Sequence, residues 1–205
     1  MDARRICAIA PVIPVLVVED VSRAKPLAEA LVSGGLSVLE VTLRSDAALD
    51  AIHEMSQVAG AVVGAGTLLD PEDVAPVNQA GAQFGVSPGS TDELLDACEG
   101  QSLPMLPGVS SVSEIMRLRS RGYNMLKFFP AEAAGGIPML KSVAGPMPQI
   151  SFCPTGGILA ETAKNYLALP NVKCVGGSWI TPTDLVQNGR WSEIQALATA
   201  AASIA

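Results

Sequence analysis

Lys127 stands alone in an apolar run, NMLKFF, residues 124–129. Among the other lysines, Lys25, Lys141 and Lys164 fall in helical patterns, and Lys173 opens a later candidate strand. Burial beside apolar side chains such as Met125 and Phe129 disfavours an ammonium and makes a free amine available as a nucleophile. Such an amine can condense with a ketone. The protonated Schiff base then draws electrons towards nitrogen and stabilises a carbanion at the neighbouring carbon as an enamine, which is what cleavage of a carbon–carbon bond beside a ketone requires. A proton-transfer group must accompany it. In SVLEVTLR, residues 37–44, strand alternation puts Val38, Glu40, Thr42 and Arg44 on one face and Leu39, Val41 and Leu43 on the other. The second face suits packing under helices, which turns Glu40 and Arg44 inwards. A buried carboxylate there fits general acid or base work.

Three further groups could hold a substrate. Thr67 follows Gly64 and Gly66 in VVGAGT and supplies a hydroxyl at a strand end, although it could equally cap a helix. Two glycine pairs, Gly156–Gly157 in CPTGGI and Gly176–Gly177 in VGGSWI, can expose backbone N–H groups. With the Ser178 hydroxyl they suit a phosphate. Either pair alone reads as a plain turn; together, after successive strands, they read as a binding site.

These residues need a scaffold that gathers strand ends. Short β-rich runs recur at 12–18, 37–43, 61–67, 82–87, 104–109, 124–129, 149–155 and 172–177, with helical patterns between them. Eight βα repeats in 205 residues predict a single (β/α)8 TIM barrel spanning residues 1–205 as one domain, with active groups at the C-terminal strand ends. An open doubly wound sheet is the competing architecture, but neither GxGxxG nor GxxxxGK[ST] occurs. Residues 2–9 are expected to form a short helix plugging the barrel bottom. The alanine-rich EIQALATAAASIA, residues 193–205, is expected to form the last helix.

Composition narrows the function. A net charge of -7 argues against a broad nucleic-acid or anionic-membrane footprint. Cys7, Cys98, Cys153 and Cys174 form no CxxC pair, which fits reduced cytoplasmic thiols better than a zinc ribbon or disulfide framework. The single histidine, His53, lies in an amphipathic helical pattern, so a His-rich metal site or a Ser-His-Asp triad is not expected. Arg4 and Arg5 before ICAIAPVIPVLVV imitate a signal peptide, yet two prolines interrupt the run. No run reaches transmembrane length.

The blocks PVIPVLVVED, VLEVTLR, VGAGTLLDP, GAQFGVSPG, LPGVSSVSE, KFFPAEAAGG, FCPTGGI and VGGSWI occur in order along nearly the whole chain. In them the sequence resembles the bacterial 2-keto-3-deoxy-6-phosphogluconate (KDPG) aldolases of the Entner–Doudoroff pathway. The resemblance implies a class I, metal-free and cofactor-free (β/α)8 enzyme, assembled as a homotrimer, that splits KDPG into pyruvate and D-glyceraldehyde 3-phosphate. It implies that Lys127 is the Schiff-base lysine and Glu40 the general acid/base, with Arg44 and Thr67 on the substrate carboxylate. By the same likeness Thr155 would touch the substrate hydroxyl region, and Gly156, Gly157, Gly177 and Ser178 would take the phosphate. Ala134 departs from the asparagine that relatives often carry. Three alternatives stand beside this reading: a 4-hydroxy-2-oxoglutarate aldolase, an aldolase for the galactonate-derived epimer, and a non-catalytic sugar-phosphate-binding barrel. Thr155 argues against the epimer enzyme, and the pairing of Lys127 with Glu40 argues against the binding barrel.

Overall fold

The computed structural model describes residues 1–204. Its strands are β1 (Val12–Leu16), β2 (Val38–Thr42), β3 (Val62–Gly66), β4 (Phe84–Val86), β5 (Met105–Leu106), β6 (Gly108–Val109), β7 (Met125–Phe128), β8 (Ser151–Pro154) and β9 (Val175–Gly177). All the strand pairings are parallel. One sheet runs β5-β4-β3-β2-β1-β9 and the other β6-β7-β8. Parallel bridges Phe152↔Val172 and Thr155↔Gly176 join β8 to β9 and close the ring on that side.

The other seam corrects a sequence expectation. The candidate strand 104–109 is split into β5 and β6 at Pro107. Pro107 accepts from the Lys127 N–H through its carbonyl at 2.9 Å, but a proline has no N–H to return to the ladder. The carbonyls of Pro104 and Leu106 still reach β4, and those of Pro107 and Val109 reach β7, so the two pieces occupy one barrel position. The observed strands are also shorter than the apolar runs, because many flanking residues belong to the turns.

Helices α1 (Ala3–Ile6), α2 (Ala24–Ser33), α3 (Ala48–Ser56), α4 (Val74–Gln79), α5 (Asp92–Gly100), α6 (Val112–Ser120), α7 (Gly136–Ala144), α8 (Ala160–Leu167), α9 (Thr183–Gln187) and α10 (Trp191–Ala202), with 3-10 turns at Val21–Arg23 and Pro71–Asp73, complete the element order. Local sequence explains several boundaries. Ser111 caps α6 by accepting from the Glu114 N–H, while the Glu114 carboxylate accepts from the Ser111 N–H at 2.8 Å. Thr91 caps α5 by accepting from the Leu94 N–H alone, and α2 stops at Gly34, after which Gly35 takes φ +94°. Helix α9 was not expected from the sequence; five residues after the last strand give too short a period to read.

Alternation divides the core in two. Leu39, Val41, Leu126, Phe128 and Phe152 pack outwards under the helices. Ile13, Val38, Phe84, Val86, Met125, Cys153 and Cys174 fill the barrel, sealed from below by Ile6 and Cys7 of the α1 segment. The expected N-terminal plug is therefore present, although its helix covers only Ala3–Ile6. Ile6 is 1% exposed, and burying such a side chain stabilises the fold by about 1.5–3 kcal/mol.

Candidate active site

Lys127 and Glu40 meet inside the barrel mouth. Lys127 lies on β7 and Glu40 on β2, 87 positions apart in sequence, and Lys127 Nζ donates to Glu40 Oε1 at 3.0 Å. Their side chains are 7% and 4% exposed, so water does little to screen the pair. Removing one member of such a pair leaves an uncompensated buried charge, at a cost of about 3–5 kcal/mol. The Lys127 ammonium also stands 5.4 Å from the centroid of the Phe129 ring, within cation–π range.

Gly66 makes room for the glutamate. A Cβ built on Gly66 would collide with Glu40 Oε1 and stand 2.7 Å from its Cγ, so the carboxyl occupies the space a side chain would take. Thr67 follows with φ +65°, a left-handed backbone that a β-branched residue rarely adopts. Thr67 is not a helix cap: the turn Pro71–Asp73 begins after Asp70, and the Asp73 carboxylate accepts from the Asp70 N–H at 3.1 Å.

Arg44 is exposed two residues beyond β2 and donates from Nε to Thr42 Oγ1 at 3.1 Å. Ser178, just past β9, is exposed as well. Both border a cavity of about 280 Å³, whose other walls include Asp20, Arg23, Thr181 and Gln187. Arg23 is already committed, to Asp20 at 3.2 Å and to the Val186 carbonyl at 2.9 Å.

Thr155 is buried directly after β8, against Gly176, where a Cβ would collide with its hydroxyl. Gly156 and Gly157 turn the chain at φ +102° and +79°, values open to glycine and costly for other residues. Neither N–H finds an acceptor among the described residues, which suits a bound anion. Gly177 has a different reason to lack a side chain, because the Trp179 ring fills the space of a Cβ.

The turn is held from below. Ala131 N–H donates to Thr155 O at 2.8 Å and Glu132 N–H to Gly156 O at 3.2 Å, tying the segment after β7 to the glycine pair. Tyr166 of α8, 1% exposed, donates its hydroxyl to Glu132 Oε1 at 2.6 Å. Burial, and then that bond, raise its phenol above the ordinary tyrosine range. Ala134 is partly buried against the core, its N–H on the Pro130 carbonyl at 2.8 Å.

The arrangement thus places an amine, a carboxylate, a cation, the Gly156–Gly157 turn and the strand-end glycines of β9 around one barrel mouth. A model of the KDPG and KHG aldolases matches residues 3–197. The chain belongs to the KDPG and KHG aldolase family. It is 52% identical over 189 residues to the 2-dehydro-3-deoxy-phosphogluconate aldolase of Pseudoalteromonas atlantica, covering 92% of this chain and 88% of that one. It is 48% identical to the KHG/KDPG aldolase of Escherichia coli K12, covering 96% and 93%. Its fold matches a KDPG aldolase of Legionella pneumophila at TM-score 0.96 and 49% identity, covering 99% of both chains. That structure holds pyruvate captured as a covalent carbinolamine intermediate.

Sequence patterns assigned no part in the site to Glu132 or Tyr166, none to Thr42 beyond its inward position, and to Phe129 only an apolar neighbourhood for Lys127. Thr42 carried a visible signal, because it shares the inward face of Glu40. Three cysteines scattered in sequence also prove to be neighbours: Cys7, Cys153 and Cys174 share the barrel's inner cluster, and the adjoining Cys153 and Cys7 thiols, together with burial, hold the Cys174 thiol well above the usual range. His53 is exposed on α3, as its helical pattern predicts. Among the described residues, no helix is long and apolar enough to cross a membrane, and no cluster of three His, Cys, Asp or Glu side chains is arranged to hold a metal ion.

Proposed function

We propose that this protein is a class I aldolase that cleaves KDPG to pyruvate and D-glyceraldehyde 3-phosphate, the carbon–carbon lyase step of the Entner–Doudoroff pathway. The buried Lys127–Glu40 contact at 3.0 Å carries this reading. A proton passed from Lys127 to Glu40 leaves a free amine, which adds to the C2 ketone to give a carbinolamine. Glu40 returns that proton to the departing hydroxyl, so that loss of water yields the protonated imine and leaves Glu40 ionised. Glu40, as carboxylate, takes the proton of the C4 hydroxyl; the C3–C4 bond breaks, and its electrons move into the imine to form an enamine as glyceraldehyde 3-phosphate departs. Glu40 then returns a proton to C3, and hydrolysis frees pyruvate and the amine. Proton transfers of this kind contribute about 10²- to 10⁴-fold to rate.

Arg44 and Thr67 hold the carboxylate, Arg44 through a permanently charged fork matched to carboxylate geometry. Thr155 contacts the substrate hydroxyls, and Gly156, Gly157, Gly177 and Ser178 receive the phosphate. The name of the E. coli relative supports 4-hydroxy-2-oxoglutarate as a second substrate, handled by the same lysine and glutamate without the phosphate turns. Residues 1–205 act as one domain. Four free, buried thiols suit the cytoplasm. Exposed apolar side chains such as Leu69, Met116 and Leu159 support association between copies of the chain, the number three comes from the family resemblance alone, and light scattering at three times the 21.1 kDa chain mass is its measure.

Borohydride trapping with pyruvate, followed by intact mass and peptide mapping, tests the mechanism. The expected result is one pyruvate adduct on the peptide carrying Lys127, absent from Lys127→Ala. A folded wild-type protein that binds sugar phosphates yet traps no pyruvate would establish the binding barrel instead.

A further inference from the structure

We propose that the Thr42 hydroxyl is a positioning group that aims the Arg44 guanidinium at the substrate carboxylate and keeps it away from Glu40. The proposal rests on the aldolase reading above and adds to it a residue that touches no substrate.

Thr42 ends β2 on the inward face and is 2% exposed. A hydroxyl so buried needs partners, and it has two: it donates to Leu16 O at 2.8 Å and accepts from Arg44 Nε at 3.1 Å. The direction of both bonds follows from chemistry. A carbonyl only accepts and a guanidinium only donates, so the single hydroxyl proton must point to Leu16 and a lone pair to Arg44. The arginine is thereby fastened, through one hydroxyl, to the end of β1.

The backbone around Arg44 is fixed on both flanks. Leu43 N–H donates to Gly66 O at 2.9 Å, and the Ser45 hydroxyl donates to Val18 O at 2.5 Å. An exposed arginine otherwise has many rotamers, and ordering it on a ligand costs conformational entropy. With Nε already held, the Nη1 and Nη2 edge of the fork is what remains for a carboxylate. Among the described residues no Asp or Glu forms an ion pair with Arg44, whereas Arg23 on the same cavity is paired with Asp20. Glu40 lies two positions back on the same face as Thr42 and is the nearest carboxylate along the strand. A guanidinium that folded onto Glu40 would compete with Lys127, and the bond from Nε to the Thr42 hydroxyl holds it from that exchange.

The test compares Thr42→Val, which keeps shape and loses the hydroxyl, with Thr42→Ser, which keeps the hydroxyl. Borohydride-trapped adduct is measured against pyruvate concentration in wild type and both variants, alongside thermal unfolding. Thr42→Val is expected to raise the half-saturating pyruvate concentration about tenfold, equivalent to about 1.4 kcal/mol, with the plateau of adduct unchanged. Thr42→Ser is expected to restore most of that loss. Unchanged half-saturation in the valine variant would overturn the proposal, as would equal loss in both variants or a lowered plateau, since these mean packing or direct involvement in the chemistry. A wild-type protein with no adduct would overturn the aldolase reading and this proposal together; an adduct in wild type with an indifferent valine variant would overturn this one alone.

Discussion

Gly66 shows how one missing side chain arranges the chemistry. Its backbone lies outside the left-handed region, so alanine is compatible with the chain there, and the nearest atoms in the way of the added methyl all belong to the Glu40 side chain. Gly66→Ala should therefore fold, yet displace Glu40 from its 3.0 Å contact with Lys127. Loss of an aligned proton-transfer group lowers kcat by about 10²- to 10⁴-fold, and steady-state kinetics with KDPG beside circular dichroism of the variant measure the two effects separately. An unchanged kcat would mean that the carboxyl can shift without consequence. Thr67 makes the complementary point at the next position. A threonine at φ +65° carries a backbone cost of the order of 1–3 kcal/mol, and it stands at a strand end that faces the mouth.

At the scale of elements, the segment after β7 is held to the glycine turn after β8 by two backbone bonds, and to α8 by the Tyr166–Glu132 bond. Tyr166→Phe fits the same space and leaves Glu132 to water. Loss of a hydrogen bond to a charged group should cost about 1.5–3 kcal/mol in denaturant unfolding, and half-saturation by phosphorylated substrate should weaken while pyruvate trapping stays as in wild type. The pH dependence has a defined sign. In the folded protein the Tyr166 phenol is raised by burial and by Glu132, while the unfolded chain ionises near pH 10, at about the ordinary tyrosine value. The folded state thus holds a proton that the unfolded state gives up. Its stabilisation is complete below about pH 10 and is lost as pH rises further, a loss that Tyr166→Phe should not show. Stability of the two proteins that falls in parallel above that pH would count against the bond. None of this was legible in the sequence, where Tyr166 reads as one apolar position of a helix. By contrast, the inward register of Glu40 and Lys127 was legible, because alternation along VLEVTL and MLKF fixes which residues face the barrel. The split at Pro107 was readable in principle, since a proline in a central strand forfeits a ladder bond.

At the scale of the whole molecule, what the sequence could not display is contact across the barrel, which depends on register between strands far apart in the chain. Cys7, Cys153 and Cys174 are the plainest case, three distant positions that share one apolar layer. All four thiols are buried, and burial, aided by the Glu99 charge, pushes Cys98 up to about 11. At neutral pH the folded protein should therefore resist alkylation, because burial denies access to all four thiols, and at Cys98 and Cys174 the reactive thiolate form is disfavoured as well. Reaction must wait for opening, and openings differ in size. Cys7 belongs to the plug, whose helix is only four residues long and closes the barrel from below, whereas Cys153 lies within β8 and Cys174 directly before β9, strands of the ring itself. Local release of the plug uncovers Cys7 at a smaller free energy than breaking the ring. Iodoacetamide labelling in low denaturant, followed by peptide mapping, should modify Cys7 first. Cys153 and Cys174 should follow only with the global transition seen by circular dichroism. Simultaneous labelling of all three would mean that plug and ring open as one cooperative unit, so that the N-terminal segment is an integral part of the barrel's stability and not a detachable stopper.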